Sequence, residues 1–503
     1  MTTTDIEQQQ QQQEQQLLDN NDFETITAKG AVFIEDVTSE TFQAEERVRI
    51  AVNPHLWPRS KKWTAVALAS LYTFIAPISS SMVAPALPYL AKDLGFTSKT
   101  EILMSLSIFV LAFAFGPLFL GPLSEVYGRK PILQASLWFF VIFNTACGLS
   151  TTKDQLLVFR FLAGIGGSAP IALAGSVVSD CFDRTEMGAA MSYYALGVIL
   201  GPALGPIIGG IMTQSVSWHW VFYTVSIVGG ILAIIGTFLL PETFAVVLVQ
   251  RAQARGVLSE SHELKAAHSQ KRSVFLILKD AVIRPFILLF TQPIAQVIAL
   301  IMAFVYGVMY IVLSTFSALF VTHYQQGTLT STYHYLALGI GFFIGNRMSG
   351  GILDTISTML QKRYNTPHKP EYRLPVCIPA AMLLPVGLFI YGWSAENTVH
   401  WIVPDIGIAL FAMSVNITFQ ALTVYTVDVY TMYSASALAA VSFLRSLAGF
   451  GFPLFADTLY VRFGYGWGNS ILAFVGIGIG IPAPILLYVY GERLRASSKF
   501  LSS

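Results

Sequence analysis

Apolar stretches of about 20 residues recur along most of this chain, each long enough to cross a hydrocarbon core about 30 Å thick. In lipid every backbone N–H and C=O must find a partner within the protein, so stretches of this length fold as helices rather than open strands. The 503-residue length alone would suggest several soluble domains. With 54% hydrophobic and only 12% charged residues, one polytopic all-α membrane domain is the better reading. Twelve transmembrane helices are expected, at 64–84, 102–121, 131–150, 155–179, 188–212, 218–240, 294–320, 332–353, 374–394, 401–424, 437–460 and 470–490. The stretch from Phe286 to Phe320 is too long for one helix; RPFILLFTQP reads as an amphipathic approach, and the seventh span starts after Pro293.

Residues 1–60 are polar, carry EQQQQQQEQQ and lack an apolar h-region, so a disordered tail without a cleavable signal peptide is expected there. An even number of spans puts both termini on one side. Placing them in the cytoplasm puts Arg59, Lys61, Lys62, Arg129, Lys130, Arg251, Lys362, Arg363, Arg373, Arg493 and most other cations inside, and leaves only Lys92, Lys99, Lys153 and Arg462 outside. The longest internal loop, 241–285, carries SESHELKAAHSQKR and divides the chain six plus six. The expected organisation is a bundle at 61–240, a central loop and approach at 241–293, a second bundle at 294–490 and a short tail at 491–503. A polar loop after the eighth span, DTISTMLQKRYNTPHKPEYR, mirrors in position the loop GPLSEVYGRKP after the second. Such a parallel repeat suits a transporter made of two pseudo-symmetric six-helix bundles around a midplane site.

Net charge +1 without a basic face argues against nucleic acid as a partner. Cys147, Cys181 and Cys377 match no metal pattern, and neither a GxxxxGK[ST] nor an HExxH motif is present. No enzyme, no metal, no cofactor and no ATP drive is expected; the partners are the bilayer and a small-molecule substrate, and the chain is read as a monomer. The precise membrane stays open between the cell surface and the vacuole.

Three arginines fall inside spans, where charge is expensive. Arg160 lies too deep for snorkelling to serve it fully and is read as facing the cavity or a neighbouring helix; Arg347 and Arg445 stay open between the two readings. In GVILGPALGPIIGG, Gly197, Gly201, Gly205 and Gly209 recur every fourth residue with Pro202 and Pro206 between them, leaving one bare helix face for close packing. In GPLSEVYGRKP, Gly128 suits a turn, Pro131 a helix start, and Glu125 and Arg129 the spacing of an ion pair. Asp180 is a further acid within reach of Arg129 or Lys130. Two readings are open for this cluster: a solvated loop that orients the chain, or a latch that forms in only one conformation.

These motifs resemble those of the major facilitator superfamily. GPLSEVYGRKP is similar to its signature loop at Gly121, Leu123, Glu125, Gly128, Arg129 and Lys130, with Glu125 in place of the usual Asp. GVILGPALGPIIGG resembles the fifth-helix antiporter motif, and LLVFRFLAGIGG the fourth-helix motif whose arginine falls at Arg160. SWHWVFYT, PETF and the stretch from Ala435 to Ser470 are similar to the fungal twelve-spanner drug:proton antiporter branch. The resemblance implies alternating access, export of small organic molecules driven by the proton gradient, a coupling role for Arg160 and gating by the charge cluster. A proton-coupled importer or facilitator of a nutrient or polyamine is the alternative, and a non-transporting receptor a third.

The first span holds no acid, which leaves Asp180, Asp428 and Asp457, all near helix ends, as proton carriers by exclusion. His323 and His334 are expected to face water. A midplane substrate site between the halves would draw on Tyr193, Tyr194, Gln296, Tyr306, Tyr310, Asn416 and Gln420 for aromatic faces and amides. So few charges suit neutral or weakly acidic amphipathic compounds.

Overall fold

The structure is a computed structural model that describes residues 50–182, 186–254, 274–365, 369–496 and 498. The Gln-rich segment and the SESHELKAAHSQKR loop lie outside the described residues. The membrane-crossing helices are α1 (Arg59–Ser81), α2 (Lys99–Tyr127), α3 (Arg129–Gly148), α4 (Lys153–Cys181), α5 (Met187–Ser215), α6 (His219–Leu239), α7 (Pro293–Thr322), α8 (Tyr335–Tyr364), α9 (Cys377–Glu396) and α10 (Ile402–Val429). No strand occurs among the described residues.

After α10 the helix Ser434–Gly480 is interrupted at Gly464, whose φ of 70° and ψ of 176° are non-helical. The chain reverses there. Tyr460 Oη donates to Asn469 Oδ1 at 3.1 Å, although residues nine apart in an unbroken helix would be separated by about 13 Å along its axis. Glu396 closes the reversal by accepting the N–H groups of Tyr465 and Gly466 at 2.7 and 3.1 Å, which caps a new helix start with negative charge. The two limbs, 434–463 (α11) and 465–480 (α12, extended by Pro482–Ala496), account for the last two expected spans. By length and hydropathy there are eleven candidate spans among the described residues, the last of which contains both limbs.

Helices α1–α6 pack against one another, as do α7–α12, and the two groups meet where α2 runs along α11 and α5 along α8. The outer surface is apolar: α6 exposes Ile227, Ile231, Ile234 and Phe238 at helical spacing, a stripe suited to lipid. All three cysteines are free and buried, as small apolar residues are. A second helix, Val274–Thr291, precedes α7, and Pro293 opens α7 at its first turn, where the missing N–H has no role. One end of the assembly carries Arg59, residues 241–254 and 274–292 and Ala496; it is called the terminal face below.

Candidate functional site

The connection between α2 and α3 is a single residue. Tyr127 ends α2, Gly128 takes φ 102°, and Arg129 begins α3. Pro131 is therefore the third residue of its helix rather than the first. Glu125 and Arg129 straddle the break and share no helix face, so the expected pair does not form: Glu125 is exposed and makes no ion pair or hydrogen bond among the described residues.

Arg129 turns inward. Its Nε lies 3.3 Å from Asp180 Oδ2 and its Nη1 donates to Ser124 Oγ at 2.6 Å. Its backbone N–H donates to Glu242 Oε1 at 2.8 Å, and the same oxygen accepts from the N–H groups of Thr243 and Phe244, both at 3.1 Å. Thr243 Oγ1 also donates to Asp180. Glu242 is buried, and a Cβ at Gly128 would sit 2.2 Å from its carboxylate, so the positive φ and the absent side chain are both required. Lys130 reaches instead to the carbonyl of Thr237 on α6 at 3.0 Å. Gly121 has open space around it and supplies a carbonyl to Ser124 Oγ. Glu242 of PETF, the hub of the cluster, lies 113 residues from Arg129, a separation no local pattern reveals.

The second half repeats the device. Arg373, just before α9, donates to Asp428 at the end of α10 at 2.6 Å and to Asp354 of α8 at 3.0 Å. Arg129 and Asp180 hold the start of α3 and the end of α4 in the same way. Nearby, Arg495 makes a two-pronged bond to Glu371, both contacts 2.9 Å. The positional mirror between the two polar loops is thus an ionic one.

All three acids expected to carry protons sit in ion pairs. Asp180 and Asp428 are bound as above, and Asp457 of α11 meets Lys99 of α2 at 2.9 Å on the face opposite the terminal one. Its partner lies in the other half of the molecule, so that pair bridges the two groups. His334 is a correction: it is buried, stacked on Phe320 with ring centres 3.6 Å apart, and wedged between Asp405 Oδ2 at 2.7 Å and Gln326 Oε1 at 2.8 Å. His323 is exposed, as expected. The acid at position 405, in the first turn of α10, is the carboxylate that reading by span interiors missed.

The glycines of α5 face α1. A Cβ at Gly197 would lie 2.8 Å from the carbonyl oxygen of Ser70, at Gly201 2.4 Å from Pro77 Cβ, at Gly205 2.1 Å from Ser81 Oγ, and at Gly209 2.0 Å from the carbonyl oxygen of Met82. Pro202 and Pro206 lie buried within the same helix. Along its other contact α5 meets α8 and the short helix before it, Thr328–Tyr333, with Ala203 against Gly339 of α8 and Gly210 against Thr332 of the short helix.

Arg160 is fully buried and binds backbone: Ser105 and Ser79 carbonyls at 3.2 Å and Leu106 at 3.5 Å, with its guanidinium 4.5 Å above the Phe109 ring. It ties α4 to α1 and α2. Arg445 is different. It lies over the rings of Tyr306 and Phe419 at 5.0 and 5.8 Å, and its Nε is buried without a hydrogen bond. Tyr310 packs 4.9 Å from Tyr306 and shares a 3.1 Å hydrogen bond with Ser80 of α1, across the two halves. Gln420 donates to Asn346, Asn416 Oδ1 is buried without a partner, and Tyr194 donates to the Ile171 carbonyl within electrostatic reach of Arg445. Tyr194, Tyr306 and Tyr310 lie around Arg445, and Asn416 and Gln420 lie on α10 towards Gly345 and Asn346 of α8, so five of the seven residues lie within the bundle. The other two do not: Tyr193 is exposed against Trp63, and Gln296 is exposed and bonded to the Phe290 carbonyl, both one or two turns from the terminal-face end of their helices. Arg347 is exposed on α8.

The family model described as Major Facilitator Superfamily matches residues 69–453. The chain belongs to the major facilitator superfamily. Among relatives, efflux pump vrtL of Penicillium aethiopicum is 42% identical over 90% of this chain and 89% of its own length. Efflux pump radE of Floropilus chiversii is 38% identical over 89% of this chain and 84% of its own length. Among solved structures, the xylose transporter XylE from E. coli in a partially occluded inward-open conformation covers 85% of this chain and 99% of its own, with a TM-score of 0.61 at 13% identity. The human organic anion transporter MFSD10 gives 0.59 at 16% identity over 86% of this chain and 100% of its own. At those identities the likeness shows the fold. As a superfamily member of the branch that includes named fungal efflux pumps, the protein is a multi-pass membrane transporter.

In this superfamily member the terminal-face cluster hinges on one buried carboxylate. Glu242→Ala should weaken the start of α3 by about 1–2 kcal/mol, the worth of a charged cap, and expose Ser124. Maleimide labelling of a Ser124→Cys background measures this. Glu125→Ala should leave the labelling unchanged, and equal labelling of the two variants would remove Glu242 from the hub.

Proposed function

We propose that this transporter exports small amphipathic organic molecules by proton antiport, with alternating access around the junction of α7, α10 and α11. The reading is carried by the alignment with proteins named as efflux pumps along nine tenths of the chain. The α5–α1 contact supports it: a glycine face in backbone contact lets one helix rock against another without unpacking side chains. The terminal face, where most cations gather, is the cytoplasmic one in this reading, and Arg129, Asp180 and Glu242 form the gate that closes it in one state. The cell membrane is the favoured site, with the vacuolar membrane second.

Antiport requires a group that takes a proton from outside. His334 and Asp405 are the pair placed for it: on the face opposite the cytoplasm His334 is buried and Asp405 half-buried, with Gln326, Phe320, Trp401 and Tyr324 around them and no second carboxylate among their described neighbours.

Cells overexpressing the protein, loaded with a panel of fluorescent amphipathic compounds at two external pH values, test the proposal. Reduced accumulation that returns to control levels when the gradient is collapsed is the expected result, and His334→Gln should lose that pH dependence. Raised accumulation would mean import; binding without flux would mean a receptor.

A further inference from the structure

Arg445 meets no anion among the described residues. Its guanidinium makes ring contacts only, with Tyr306 at 5.0 Å and Phe419 at 5.8 Å, and forms no ion pair or hydrogen bond among the described residues. Arg160, the other deeply placed arginine, spends its donors on three carbonyls. A half-buried cation within the membrane is costly unless paired, and cation–π contact offsets only part of that. Other buried polar atoms without a hydrogen bond include Asn416 Oδ1, on the same helix as Phe419, and Ser446 Oγ, next in sequence to Arg445. Tyr310, packed 4.9 Å from Tyr306, joins the halves through Ser80.

Resting on the reading that this junction is the substrate site, we propose that Arg445 is the anion-recognising group of that site. The transported compounds are aromatic acids: a planar ring lies against Tyr306 and Phe419, while a carboxylate or an ionised acidic phenol pairs with the guanidinium. The planar fork of arginine matches two carboxylate oxygens at once, and no described carboxylate competes for it. The aromatic stack then serves two purposes: it shields Arg445 from lipid while the site is empty and receives the ring of the cargo when it is filled.

Purified protein in lipid nanodiscs, titrated with ten hydroxylated naphthoic and benzoic acids and their neutral methyl esters, tests the assignment. The wild type should bind the acids about tenfold or more tightly than the esters, the worth of a charge-assisted hydrogen bond. R445Q should abolish that preference while weakening the esters far less. R445K, which keeps the charge without the fork, should fall between them. Thermal unfolding of each variant checks that the fold survives; should R445Q fail it, R445K carries the comparison. Absence of acid binding, or an unchanged acid preference in R445Q and R445K, overturns the assignment. Export of esters by cells with no acid bound would sink the charge recognition alone and leave export standing. Acids bound at Arg445 without efflux in cells would do the reverse.

Discussion

Gly209→Val should abolish transport and leave little folded protein in the membrane. A Cβ at that position would lie 2.0 Å from the carbonyl oxygen of Met82 and 3.0 Å from its carbonyl carbon. Backbone atoms cannot rotate aside as a side chain can, so the two helices must separate, and overpacking of this kind costs about 3 kcal/mol or more. Gly205→Leu should act similarly, since its Cβ would meet Ser81 Oγ at 2.1 Å and the Ile78 carbonyl at 2.9 Å. Gly451→Ala on α11 is the control, because nothing lies within 4 Å of its Cβ position. Fluorescence-detected size exclusion separates folded from aggregated protein, and efflux is measured on whatever fraction survives. A monodisperse, active Gly209→Val would show that α5 and α1 are not in backbone contact in the working protein.

That contact was legible because four glycines in phase leave a helix face with no alternative use. Spans were legible for a related reason: hydrocarbon thickness sets their length, and lipid permits no unsatisfied backbone. Pro293 marked the start of α7 because proline fits only the first turn without disrupting a helix. Partners were harder to see. The i,i+4 rule placed Glu125 beside Arg129, but it holds only within one helix, and Gly128 ends α2 between them. Glu242 and Asp405 lie 113 and 71 residues from the groups they bind, so chain spacing carries no trace of either pairing. Tyr193 and Gln296 were misplaced by residue type alone; counting turns from each helix start would have put both near the terminal face rather than at mid-membrane. Arg445 was left undecided because a sequence shows a charge inside a span without showing whether anything answers it.

Arg160→Ala should abolish gradient-driven efflux while the protein still reaches the membrane. The resemblance of LLVFRFLAGIGG to the fourth-helix motif implies a coupling role for this arginine. The geometry supplies a physical basis, since the guanidinium bonds the carbonyls of Ser79 on α1 and of Ser105 and Leu106 on α2, and also stacks near Phe222 of α6 at 5.8 Å. One rigid fork therefore sets the relative position of three helices, and α1 is the helix against which the glycine face of α5 packs. Alanine removes every donor and leaves a void, a loss of about 3 kcal/mol or more in a buried network. Lysine keeps the charge but not the fork, and its ammonium cannot span carbonyls on two helices with the same geometry. Arg160→Lys should consequently fold, exchange labelled substrate across the membrane in counterflow, and lose most of the response to a pH gradient. That split separates coupling from mere scaffolding: a scaffolding arginine, once weakened, would slow exchange and gradient-driven efflux together. Normal gradient-driven efflux by Arg160→Ala would rule out both roles.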